Sequence, residues 1–268
     1  MTSNDEALTT DVARDDLRNY CTGLVDAGLD VTVRASKLDP EAKTFRVVVR
    51  LPSEELLKIV RSQWASSSAT VSVSKSGVQR AWAEFTGDSA RSLLRSVAKR
   101  GVANRTVAHA AYSFLKQEMT MEEAVREIEA ARTREVKTRV VERIVKPKKK
   151  KGEEADPPER VVEDIVPEDG EVDAVADLMT PGWIGGFLDA LATVRPARTT
   201  NTKRQGRIVV ETRKLPGALA IAGGILKHVR AGKLNAARPR LTFSTKRDVD
   251  ALSKGAAEAR FVDFAALA

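Results

Sequence analysis

Cys21-Thr22-Gly23-Leu24-Val25-Asp26-Ala27-Gly28-Leu29 and Ile184-Gly185-Gly186-Phe187-Leu188-Asp189-Ala190-Leu191-Ala192 are two versions of one short run. Each is apolar, carries small residues near its start and holds one acid near its end. Each lies where a helical pattern hands over to a strand pattern. Upstream of the first, Leu17, Tyr20, Cys21, Leu24 and Val25 recur at the spacing of one helical face, and Gly28 is a natural helix stop. The helix is expected to begin at Thr10 or Asp11, with Asp11, Asp15 and Asp16 at the positive end of its dipole. Residues 1–9 are expected to form a flexible tail.

After the first run, Val31–Arg34 and Phe45–Arg50 alternate as strands. Pro52-Ser53-Glu54-Glu55 opens a helix carrying Leu56, Leu57, Ile59, Val60 and Trp64. Thr70–Ser74 and Arg80–Phe85 form a further strand pair, and Gly87-Asp88-Ser89 starts another helix. Helices over Val107–Lys116 and Met121–Arg143 follow, the latter supported by Glu122/Arg126 and Glu135/Arg139 at i,i+4. Residues 146–178, from the Lys146–Lys151 run into the acids around Pro157-Pro158, are expected to be a disordered or extended linker.

The pattern then restarts. Pro181–Ala190 is an apolar helix, and Thr193-Val194-Arg195 and Arg207–Glu211 are strands. Leu215-Pro216 opens a helix, Lys233-Leu234 and Arg240–Ser244 are strands, and Asp248–Ala257 is a helix. Leu51-Pro52 matches Leu215-Pro216, and Phe85 with Leu94 matches Phe243 with Leu252. The separation of matched positions falls from 163–164 early to 158 late, so the second copy is slightly shorter. The expected fold is α+β: two pseudo-symmetric αββαββα repeats whose hairpin-joined strands form antiparallel sheets. The boundaries are 10–145 for the first repeat with a helical extension, 146–178 for the linker and 179–268 for the second repeat.

Composition narrows the chemistry. One cysteine among 268 residues excludes an internal disulfide or a cysteine-based metal site, and His109 and His228 read as ordinary helix residues. The net charge is +8, but residues 152–178 carry −10, which leaves +18 on the rest. That surplus points to a polyanionic partner. No apolar run reaches the roughly 18–20 residues of a membrane span, so no membrane partner is expected. Neither a secretory nor a transit pattern opens the chain. An intracellular location is expected, nuclear, cytoplasmic or organellar, and Pro147–Lys151 reads as a localisation signal, a phosphate-binding arm or a solvated hinge.

The repeated unit, with a small-small-apolar-apolar-Asp-Ala run closing its first helix, resembles the two-repeat LAGLIDADG homing endonucleases. The resemblance covers most of the chain outside tail and linker. It implies that the two runs form the interface between halves, through Thr22, Gly23 and Asp26 on one helix and Gly185, Gly186 and Asp189 on the other. Small residues permit such a close crossing, while Leu24, Val25, Phe187 and Leu188 would point into the core of each half. It also implies a saddle of two sheets over nucleic acid, helices on one face and the other face free. The cations on or beside the strands are the expected contacts. They are Arg34, Lys37, Lys43, Arg46, Arg50, Lys75 and Arg80 in the first half. In the second they are Arg195, Arg198, Lys203, Arg204, Arg207, Arg213, Lys233, Arg238 and Arg240.

The chain departs from the family at its catalytic positions. The acid that binds the catalytic metal is expected two residues after the matched Asp, and there stand Gly28 and Leu191. Divalent-metal phosphodiester cleavage needs those carboxylates. No catalytic residue and no cofactor are therefore assigned. The expected protein binds DNA or structured RNA without cutting, as a monomer with an internal pseudo-dimer, in a maturase-like role or in a ribonucleoprotein complex. Two alternatives remain. One is a nuclease, with Mg²⁺ held by Asp30, Glu84 or Glu211; the other is a protein-interaction or assembly module.

Overall fold

The computed structural model describes residues 3–35, 43–73, 79–145, 160–195 and 207–255. Helix α1 (Ser3–Gly28) leads into β1 (Leu29–Ala35), β2 (Lys43–Leu51), α2 (Glu54–Gln63), β3 (Ser68–Val73), β4 (Gln79–Phe85) and α3 (Gly87–Arg100). Two further helices, α4 (Arg105–Leu115) and α5 (Met121–Thr133), complete the first half. The second half repeats the order as α7 (Pro181–Leu191), β7 (Ala192–Arg195), β8 (Arg207–Glu211), α8 (Ala218–Val229), β9 (Lys233–Asn235), β10 (Arg240–Phe243) and α9 (Lys246–Gly255). The sheets have the same antiparallel order, β1-β2-β4-β3 and β7-β8-β10-β9.

Strand register fixes the equivalences. Val31 pairs with Val47 and Val47 with Phe85; Val194 pairs with Ile208 and Ile208 with Phe243. Counting back from Val31 and Val194 sets Gly28 against Leu191. One landmark moves. Leu51 lies inside β2, paired with Ala81, and the position equivalent to it is Thr212, whose N–H bonds the Pro239 carbonyl. Leu215-Pro216 lies beyond β8 and does not open the helix. Helix α8 begins at Ala218 after Gly217, whose φ of +64° suits a residue without a Cβ.

The expected tail and linker need correction. Helix α1 already runs from Ser3, in keeping with the helix formers Glu6, Ala7 and Leu8 in its first turns. The expected helix over 121–143 ends at Thr133, and Thr138–Val145 becomes strand β5. Thr138, Val140, Val141, Ile144 and Val145 are β-branched and favour a strand over a helix. Strand β6 (Arg160–Pro167) pairs with β5 in a two-stranded ribbon, and α6 (Asp169–Ala176) follows. The acidity of this stretch hid the Val161-Val162 and Ile165-Val166 pairs. Arg139 bonds Asp169 at 2.9 Å instead of serving a helical pair with Glu135, and Arg134 bonds Glu171 at 2.8 Å. Helix α6 packs on α8 at Gly223 and Gly224, against Val172 and Met179. Residues 146–159, including the lysine run, lie outside the described residues.

Each half has its own core. Tyr20, Leu24 and Val25 join Val47, Val49, Leu57, Phe85, Leu93 and Leu94 in the first; Trp183, Phe187 and Leu188 join Ile208, Val210, Ile225, Phe243 and Leu252 in the second. Each such side chain contributes about 1.5–3 kcal/mol by leaving water.

Helices α1 and α7 press together between these cores. A methyl group added to Gly23 would lie 2.1 Å from the Trp183 carbonyl oxygen, and one on Gly186 2.0 Å from that of Tyr20. The partner of Gly186 on its own face is Gly182, four residues earlier, where an added methyl would meet the Asp16 carbonyl at 3.0 Å. Gly185 is buried in α7 as well. Thr22 turns elsewhere: its hydroxyl donates to the Arg18 carbonyl at 2.7 Å and hydrogen-bonds the Ser96 hydroxyl of α3 at 3.0 Å.

Gly186→Ala should force the two backbones apart and cost about 3 kcal/mol, the upper end of ordinary overpacking. Gly170→Ala on α6 is the control, since nothing lies within 4 Å of its added methyl; it should be neutral or stabilise by about 0.5–1 kcal/mol. Urea midpoints of the two variants check this.

Candidate nucleic-acid interface

Period-two alternation divides each sheet into a core face and an outer face. On the first sheet, Asp30, Val48, Glu84 and Ser68 form one cross-strand row, Thr32 and Arg46 a second, and Arg50, Trp82 and Thr70 a third. Arg34 and Arg80 share this outer face. On the second sheet the outer face holds Arg195, Arg207, Val209, Glu211, Lys233, Asn235, Arg240 and Thr242. Val48 and Val209 occupy equivalent central positions, both 2% exposed.

The cations are held in place by a few acids. Glu84 accepts from Arg34 Nη1 at 3.1 Å and Arg46 Nε at 3.0 Å, and Arg46 also lies over the Trp82 ring at 5.7 Å. Asp30 accepts from Arg50 Nη2 at 2.9 Å. Glu211 sits 4.0 Å from both Arg213 and Arg240. The structure thus gathers Arg34, Arg46, Arg50 and Arg80 on one sheet, and Arg195, Arg207, Lys233 and Arg240 on the other. Arg213 follows β8, and Arg238 lies in the β9–β10 turn, where its N–H bonds Asn235 Oδ1 at 3.1 Å. Lys43 opens β2. It shares the parity of Phe45 and Val47, the core face, and is exposed because the strand end outruns the core. Lys37, Lys75, Arg198, Lys203 and Arg204 lie outside the described residues.

The ends of α1 and α7 sit at the junction of the halves. Trp183 Nε1 donates to Asp26 Oδ2 at 3.0 Å, and Tyr20 Oη donates to Asp189 Oδ2 at 2.7 Å. These bonds are reciprocal about the pseudo-twofold, each running from one helix to the other. Asp26 also accepts from the backbone N–H groups of Val102 at 2.6 Å, Ala103 at 2.9 Å and Asn104 at 2.6 Å. It thereby holds the entry to α4. Complete burial pushes its carboxyl above the ordinary aspartate range, with the four N–H donors pulling the other way. Sequence reasoning found Asp26 and Asp189 but missed their aromatic donors, although Tyr20 and Trp183 stand at matching places.

Gly28 adjoins β2 so closely that a Cβ there would lie 2.2 Å from the Arg50 carbonyl oxygen. A cleft of about 480 Å³ opens beside it, lined by Asp30, Arg50, Arg132 and Lys214 among others. Its charge is the reverse of a metal site. Arg132 donates to the Val31 carbonyl at 2.7 Å, and the acid Asp30 is tied to Arg50. The three acids named as alternative ligands, Asp30, Glu84 and Glu211, each face arginine, and Glu211 belongs to the other sheet. Among the described residues, no group of three or more His, Cys, Asp or Glu is placed to hold a metal ion. No helix among the described residues is long and apolar enough to cross a membrane.

Asp26→Asn puts an NH2 group among donors and should destabilise by about 2–3 kcal/mol, the cost of unsatisfied buried groups. Loss of amide-exchange protection at Val102–Asn104 should accompany it, measured by native-state hydrogen exchange.

No protein-family model and no curated protein matches the chain. Solved structures do. The LAGLIDADG homing endonuclease I-GzeII in complex with its DNA target aligns at TM-score 0.50 and 10% identity, over 90% of this chain and 84% of that one. Meganuclease I-SmaMI bound to uncleaveable DNA gives 0.50, 10%, 90% and 84%, and a mutant of I-SmaMI gives 0.51 with the same identity and coverage. At this identity the likeness is one of fold, and it spans both halves. The chain has the fold of the LAGLIDADG homing endonucleases.

Proposed function

We propose that the chain binds DNA across the outer faces of its two sheets and does not cut it. The observation that carries this reading is the gathering of Arg34, Arg46, Arg50 and Arg80 on one outer face and of Arg195, Arg207, Lys233 and Arg240 on the other. Phosphate contacts by such residues supply affinity, and neighbouring side chains such as Trp82 and Thr70 are placed to meet base edges. Two solved structures of this fold, I-GzeII and I-SmaMI, are complexes with DNA, which supports DNA over RNA as the partner. Gly28 and Leu191 support loss of cleavage.

Fluorescence anisotropy with a labelled duplex and with an RNA hairpin tests the binding. The duplex should bind tightly at low salt and weaken steeply as salt rises. Arg46→Gln with Arg207→Gln should lower the slope of log K against log salt by about one per lost phosphate contact. No binding to the duplex at low salt overturns the proposal; tighter binding to the hairpin replaces DNA with RNA, in a maturase-like or ribonucleoprotein role.

The cleavage part has its own check. Supercoiled plasmid with Mg²⁺ should stay intact. Gly28→Asp with Leu191→Asp should not restore nicking, because a side chain at position 28 collides with the Arg50 carbonyl. Nicking by the wild type that disappears in Asp30→Ala would show a surviving nuclease.

A further inference from the structure

The sheets are not the only concentration of positive charge. On the helical side of the first sheet, a cleft of about 300 Å³ lies between α1 and α3 at the end of α2, where Gln63 and Trp64 also line it. Arg18 reaches it from α1, and Arg95, Lys99 and Arg100 from α3, beside Ser92 and Ser96. No acid lines it. Arg100 bonds Asp15 at 3.2 Å. Among the described residues no acid lies within ion-pair distance of Arg18, Arg95 or Lys99.

This arrangement works against the fold. Arg91, Arg95 and Lys99 stand at successive i,i+4 positions on α3, and each like-charge pair of that spacing costs a helix about 0.2–0.5 kcal/mol. The negative end of the helix dipole accounts for Lys99 and Arg100, which lie in the last turn of α3. It does not account for Arg95, or for Arg18 in the body of α1. The bond between the Thr22 and Ser96 hydroxyls holds the two helices, and so their cations, in register. Cations beside a cleft that holds the Ser92 hydroxyl suit a phosphodiester, which takes charge-assisted bonds from guanidinium and an ordinary one from that serine, Ser96 spending its own proton on Thr22.

We propose that the α1–α3 cleft is a second nucleic-acid site, gripping the phosphate backbone of a segment other than the one on the sheets. The buried layer of Leu57, Leu93 and Val47 separates it from the outer sheet face. One molecule then holds two segments, one on each side.

A bridging assay tests this. A biotinylated duplex is immobilised and loaded with protein, and capture of a second, fluorescent duplex or RNA hairpin is measured. The wild type should capture a second strand, and the preference between the probes tells DNA from RNA. Arg18→Gln/Arg95→Gln/Lys99→Gln should lower that capture about tenfold or more while leaving affinity for the first duplex within about twofold, as loss of phosphate contacts at one site requires. Its thermal midpoint should stay level or rise, because like-charge repulsion on α3 is relieved. If the sheets bind nothing, the wild type still holds a duplex through the cleft and the triple variant holds none, which separates this proposal from the preceding one. Wild type that captures no second strand while the triple variant still holds the first duplex, or a triple variant that captures as much as wild type, overturns it. So does competition at the cleft by an acidic Asp/Glu peptide that nucleic acid cannot match.

Discussion

The molecule depends on one constraint: α1 and α7 must touch backbone to backbone. Gly23 against the Trp183 carbonyl and Gly186 against the Tyr20 carbonyl leave no room for a Cβ on either side. At that separation the Tyr20 hydroxyl reaches Asp189, and the Trp183 ring nitrogen reaches Asp26. Asp26 in turn collects three backbone N–H groups ahead of α4. Ala103, in that same segment, is part of the core of the second half. A first-half helix, a second-half core and the crossing between them therefore share one set of short contacts. A wider crossing would lose all of them together.

The sheets follow from the crossing, because β1 and β7 begin where the two helices end. Their outer faces set arginine against acid in a way that suits exchange. Arg34 and Arg46 share Glu84 while remaining 40% and 35% exposed. Ion pairs this open contribute little to stability, so a phosphate that takes one guanidinium costs the fold little. Glu84 meanwhile orients both side chains, and the Trp82 face adds a cation–π contact to Arg46. The second sheet has a looser version, with Glu211 at 4.0 Å from its arginines. The two faces are thus unequal in how firmly their cations are held.

How much of this was legible depends on which force set each element. The repeat, the antiparallel hairpins and the two buried runs follow from periodicity, since Val47, Val49, Ile208 and Val210 face the core wherever the strands alternate; the β2-β4 and β8-β10 neighbours that complete each sheet do not. The ribbon escaped. Thr138–Val145 and Arg160–Pro167 are strands because they pair with each other, and the acids between and beside them suggested a solvated linker. The helix-facing role of Gly182 escaped too: the crossing uses i,i+4 spacing, while the eye falls on adjacent Gly185-Gly186. Thr22 looked like an interface residue by its place in the motif, but its hydroxyl serves α3. The Tyr20–Asp189 and Trp183–Asp26 bonds could have been anticipated by aligning the repeats, since a polar aromatic and an acid recur at matching positions in both.

The same steric rule that joins the halves also governs the junction between them. Gly23 and Gly186 lack a Cβ so that another backbone can approach; Gly28 meets the Arg50 carbonyl in the same manner, at 2.2 Å from the position its Cβ would take. A carboxylate at this place would require β2 to stand farther from the end of α1. That shift would disturb the pairing of Leu29 with Val49 and of Asp30 with Val48, the start of the first sheet. The cleft beside it is lined by Arg50, Arg132 and Lys214 together with Asp30, which is tied to Arg50. The contact of Gly28 is steric, and the surplus of cations beside it is electrostatic. Both are compatible with a phosphate resting there, because a phosphate needs cations and needs nothing from position 28. The geometry of the junction is thus set by packing within the fold.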